Sequence, residues 1–185
     1  GSAFHGTHVA STVAGRVPRN LRGVASGASL IPMQVFSLFP AVYASCGGSP
    51  CVRTYETDQM YALERVTFLA AYHDIAAVNM SLGGGYFTAN CDDYSPGYTA
   101  LVTNLRSIGV ATVIASGNDS YTDGIAFPAC ISTAITVGAT NDLDAIASFS
   151  NQADGLVELM APGVGIEAAT IPGRRATEES SGTSM

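Results

Sequence analysis

The chain has 185 residues, room for one domain with a sizeable core. Apolar residues make up 47% and charged residues 12%, a balance that excludes an intrinsically disordered chain. The net charge of -7, with eight scattered basic residues that are all arginine, excludes a binder of phosphate backbones, so no nucleic-acid partner is expected.

In chain order, Gly6–Ala14 reads as a helix directly after the first histidine, and Leu30–Phe36 as a strand. Pro40–Thr54, with its Gly/Pro cluster, reads as a long surface loop. Asp58–His73 places Leu63, Val66 and Ala70 on one helical face. The run Ile75–Met80 is the next strand, and Ser95–Ser107 opens as a helix with Ser-Pro and carries Leu101 and Leu105. Val110–Ala115, Ala134–Val137 and Val157–Met160 are further strands, apolar on both faces as in a parallel sheet covered by helices. Strand and helix alternate, which indicates a single layered α/β domain over residues 1–185.

No apolar run reaches the roughly 20 residues that span a bilayer, and the first residues lack a basic-then-apolar signal pattern, so no membrane partner is expected. Gly1-Ser2 reads as a vector-derived start, and further sequence is expected beyond both ends. Cys46, Cys51, Cys91 and Cys130 form no metal knuckle. Three disulfide pairings are possible, with Cys46–Cys51 and Cys91–Cys130 favoured over four free thiols; disulfides imply an oxidising compartment.

Four short motifs could carry chemistry. His5-Gly6-Thr7-His8 would place two histidines on one helix surface, but the zinc-protease pattern needs i and i+4 histidines with a glutamate beside the first. Ser81-Leu82-Gly83-Gly84-Gly85 follows a strand, where glycines admit a phosphate or an extended peptide; Thr88 stands where the dinucleotide fingerprint requires glycine or alanine. In Ala115-Ser116-Gly117-Asn118-Asp119 the asparagine could aim its amide at an oxyanion, or merely hold its own turn. In Ser181-Gly182-Thr183-Ser184-Met185 a serine hydroxyl could stand at a helix start.

Together with Met160-Ala161-Pro162-Gly163 these motifs, in this order, make the chain resemble the subtilisin family of serine proteases over essentially its whole length. The resemblance implies a three-layer α/β subtilisin-like fold with a mainly parallel sheet between helices, truncated at both ends. It makes His5 the general base, Ser184 the nucleophile and Asn118 the oxyanion donor, with His8 structural. Ser81, Leu82, Gly83 and Gly84, with Ser116 and Gly117, would line the substrate cleft, and Ala126 is a candidate for the pocket floor. Large apolar or aromatic side chains are the expected occupants of that pocket.

The family's acid lies in an Asp-Ser/Thr-Gly motif before the histidine, and none of the nine aspartates is followed by Ser-Gly or Thr-Gly, so the acid is expected outside this chain. The expected function is a secreted, extracellular serine endopeptidase acting on proteins and peptides, from a monomeric parent. Bond cleavage needs no cofactor. A structural calcium is possible in the parent, but the stretch Arg16–Arg22, which matches the family's calcium loop, is rich in arginine and no ligand is assigned there. The rivals are a catalytically inactive fragment or peptide-binding pseudo-protease, and a nucleotide-binding α/β protein.

Overall fold

The computed structural model describes residues 4–16, 21–43, 46–171 and 176–185. In chain order the elements are α1 (His5–Ala14), β1 (Phe36–Phe39), β2 (Cys51–Thr54), α2 (Glu56–Ala70), β3 (Ala77–Met80), β4 (Gly84–Phe87), α3 (Pro96–Ser107), β5 (Ala111–Ala115), β6 (Ile125–Phe127), β7 (Ile135–Thr140), β8 (Leu159–Pro162), β9 (Ile166–Ala169) and β10 (Thr177–Ser180).

The centre is a four-stranded sheet in the order β3-β5-β7-β8, with every pairing parallel. Its carboxyl ends therefore open on one rim, the place where α/β sheets present ligands. α3 starts with Pro96 at a position where a missing N–H costs nothing, and buries Tyr98, Val102 and Leu105 at i, i+4 and i+7. It packs on β5, and α2 packs on α3 through the buried Leu63 and Val66. Acidic Glu56 and Asp58 in the first turn of α2 suit the positive end of its dipole. Each fully buried side chain such as Leu105 or Ile114 contributes roughly 1.5–3 kcal/mol to this core.

Several expectations need correction. Residues 30–35 form no strand and have no ladder partner among the described residues; Leu30 and Ile31 remain about half exposed, and the strand begins only at Phe36. The segment 40–54 is not all loop, because β2 folds back antiparallel on β1 with Phe39 opposite Cys51. The last parallel strand is Leu159–Pro162, two residues later than expected. Burial on both faces holds only towards the middle of the sheet. In the outer strands Ala77 and Asn79, which share a face, are exposed, and so are all four residues of β8, which is therefore uncovered on both faces among the described residues.

α1 sits apart from this core and packs on β9. Its His8 is buried, with Nε2 3.0 Å from the carbonyl oxygens of both Ile166 and Glu178, so one ring N–H ties the helix to the β9–β10 hairpin. That assigns His8 a structural task.

Both favoured disulfides are present, Cys46–Cys51 and Cys91–Cys130, and no cysteine is free. The second joins buried residues 39 positions apart, the first only 5. Loop-closure entropy gives about 4 kcal/mol for the long loop and about 2 kcal/mol for the short one. Denaturant titration of the Cys91→Ser/Cys130→Ser protein should therefore show the larger loss of stability. A larger loss in the Cys46→Ser/Cys51→Ser protein would contradict this ranking.

Candidate active site

Parallel pairing of β3 and β5, with Met80 opposite Ile114, sets the two following loops side by side. Ser81-Leu82-Gly83 leaves β3 and Ser116-Gly117-Asn118 leaves β5, while Gly182–Met185 returns to the same rim. The Ser81 hydroxyl donates to the carbonyl oxygen of Ser184 at 2.8 Å and accepts from Asn79 Nδ2 at 3.1 Å. Asn118 Oδ1 accepts from Thr183 N at 2.8 Å and from Thr183 Oγ1 at 3.1 Å. Thr183 Oγ1 in turn accepts from Gly117 N at 3.2 Å.

These bonds fix which way the Asn118 amide points. An amide oxygen has two lone pairs, and Thr183 takes both. The Nδ2 donor has no partner among the described residues, and the side chain is exposed, held to the residue that precedes Ser184. A free, oriented amide donor is the kind of group that stabilises a developing oxyanion.

Two glycines flank a narrow space beside these loops. A Cβ on Gly83 would lie 3.1 Å from Ala126 Cβ, and one on Gly117 would lie 3.2 Å from it, so Ala126 stands between the two chains. Gly117 also has φ of 111° and an added Cβ would meet Asn151 Nδ2 at 2.2 Å, which leaves glycine alone admissible. Gly84 has open space around it and opposes Phe127 in the β4–β6 ladder; Leu82 is half-buried against the core. Ser116 lies behind these chains. It is fully buried and its hydroxyl donates to the Asn151 carbonyl at 2.9 Å, so it supports the wall from behind.

His5 opens α1 and is half-buried. Burial, and after it the neighbouring His8, holds its imidazole below the usual histidine range. No hydrogen bond joins it to Ser184 among the described residues, and no carboxylate contributes to its shift. Thus the structure brings Ser81, Gly117, Asn118, Thr183 and Ser184 together but leaves the imidazole unengaged.

The sequence profile described as "Subtilase family" matches residues 1–185. The chain belongs to the subtilase family. It is 38% identical over 181 residues to the extracellular serine proteinase of Thermus sp. (strain Rt41A), covering 98% of this chain and 38% of that protein. Against the alkaline proteinase of Hapsidospora chrysogena it is 35% identical over 181 residues, with 98% and 39% covered. The chain thus spans under two-fifths of the length of these relatives. Among solved structures, a cold adapted subtilisin-like serine proteinase superposes with a TM-score of 0.70 at 28% identity, over 98% of this chain and 56% of that one. The prenylagaramide maturation protease PagA superposes with a TM-score of 0.71 at 24% identity, over 97% and 58%, a likeness of fold.

With these neighbours the α/β subtilisin-like fold is established. Sequence reasoning gave no role to Thr183, although it lies inside a quoted motif, because its task depends on a partner 65 residues away. Nor did it single out Asn151, whose surroundings in sequence carry no motif.

Proposed function

We propose that this subtilase chain is the histidine-to-serine part of the catalytic domain of a secreted serine endopeptidase, residues 1–185 being one partial domain. Ser184 Oγ attacks the carbonyl carbon of a peptide bond while His5 takes its proton. The imidazolium then protonates the departing amine, and water, deprotonated by His5, releases the acyl group. The oxyanion is held by Asn118 Nδ2 and by the backbone N–H of Ser184. A substrate strand lies along Ser81–Gly84, held by main-chain hydrogen bonds, with a large apolar or aromatic side chain between Leu82–Gly83 and Gly117 above Ala126. The observation that supports this reading is the Asn118 amide, whose oxygen takes two bonds from Thr183, the residue before Ser184, while its N–H₂ has no partner among the described residues.

The proposed triad acid lies outside this chain, and the parent is a monomer acting in an oxidising, extracellular setting, which the two disulfides suit. Cleavage itself uses no cofactor. A structural calcium in the parent stays possible, and no ligand is assigned in the stretch that matches the family's loop. Of that stretch, 17–20 lie outside the described residues; Arg16 and Arg22 pair across its neck and both point donors at Ser26, a cationic setting with no carboxylate. No cluster of three or more potential metal ligands occurs among the described residues.

In the full-length protein that carries this chain, Asn118→Ala should lower kcat by about 10²–10³-fold with little change in KM, as an oxyanion donor acts only in the transition state. An unchanged kcat would overturn the assignment. A second reading, a peptide-binding module without turnover, is favoured by one observation, that His5 has no carboxylate partner among the described residues.

A further inference from the structure

One buried side chain makes four hydrogen bonds to the oxyanion loop. Asn151 lies on the segment between β7 and β8 and is fully buried. Its Oδ1 accepts from Asp119 N at 2.8 Å and Tyr121 N at 3.2 Å; its Nδ2 donates to Ser116 O and to Asp119 Oδ2, each at 3.2 Å. Its backbone N donates to Gly117 O at 2.9 Å, and its carbonyl accepts from Ser116 Oγ at 2.9 Å.

An asparagine amide offers two donors and two acceptor lone pairs, and here all four are used. Turning the amide over would set N–H₂ against two N–H donors, so a single orientation is possible. The contacts bracket Asn118: Ser116 and Gly117 before it, Asp119 and Tyr121 after it. Asn118 itself takes no bond from Asn151, which leaves its side chain directed by Thr183 alone.

We propose that Asn151 is the positioning residue of the oxyanion loop, fixing the backbone on both sides of Asn118 so that its Nδ2 meets the developing oxyanion without reorganisation. The inference rests on the peptidase reading given above. Donors of this kind act through preorganisation, and a misplacement near 1 Å costs about 10²-fold. The fit also accounts for Gly117, since any Cβ there would collide with the Asn151 amide.

The test is a double-mutant cycle in the full-length protein, with rates normalised to active sites titrated by a fluorophosphonate. Asn151→Ala is expected to lower kcat by about 10–100-fold, with KM altered by less than about threefold. In the Asn118→Ala background the same change should cost less than about threefold further, because the donor it serves is already gone. Should the alanine protein not fold, Asn151→Ser carries the same measurements, with a smaller loss in kcat for any bond its hydroxyl retains. Wild-type kcat in the Asn151 variant, or losses that multiply in the double variant, would overturn the inference while leaving the peptidase reading intact. Absence of cleavage by the wild type, or cleavage retained by Ser184→Ala, would overturn both.

Discussion

Ser184→Ala in the full-length protein is expected to remove cleavage of an unfolded protein substrate, with a fall in kcat of about 10⁶-fold, the scale on which subtilisin itself responds to loss of its serine. The size follows from the chemistry. Without the hydroxyl no acyl-enzyme forms, and the remaining oxyanion donors and binding contacts act only on a direct attack by water. The backbone bond from Ser81 Oγ to the residue-184 carbonyl does not use the deleted group, so the rim should keep its shape. A folded Ser184→Ala protein that binds a peptide inhibitor but does not cleave is the predicted result. Cleavage by a homogeneous preparation of that variant would remove Ser184 from the mechanism.

Residues 1–185 by themselves are expected to turn over a chromogenic tetrapeptide at least about 10⁴-fold more slowly than the full-length protein. Loss of the triad acid alone costs a subtilisin about 3 × 10⁴ in turnover. Here burial and His8 depress the His5 pKa, and among the described residues no acidic group offsets them to stabilise the imidazolium. No hydrogen bond to Ser184 orients the ring either. A second loss comes from the scaffold: β8 is exposed on both faces and β3 on one, so the sheet that carries the rim is incompletely covered. The comparison needs both proteins at known active-site concentration. Turnover within tenfold of the full-length protein would show that the chain supplies its own acid, and the triad proposed here would be wrong.

Much of the central scaffold was legible because it rests on local periodicity. Tyr98, Val102 and Leu105 repeat at helical spacing, and Val110–Ala115 is apolar throughout, so α3 and β5 fall within a residue of expectation. Leu30–Phe36 has the same apolar character and forms no strand before Phe36, since an apolar run becomes a strand only where a partner backbone is available. The pairs β4–β6 and β9–β10 were not anticipated. Gly84–Phe87 is half glycine and Thr177–Ser180 carries two glutamates, so each is specified by its distant partner rather than by its own pattern. The site divides in the same way. His5, Asn118 and Ser184 stand in motifs that a resemblance can locate, whereas Thr183 and Asn151 act through bonds spanning 65 and 30 to 35 residues. The motif of Ser116 places it at the rim, while the inward turn of its hydroxyl to Asn151 depends on a partner 35 residues away.

Mapping the adduct of a fluorophosphonate on the full-length protein tests the nucleophile directly. One phosphonyl group per molecule on the peptide containing Ser184, formed in step with the loss of peptidase activity, is the predicted result. Complete inactivation with the label on any other residue, or with none at Ser184, would contradict it.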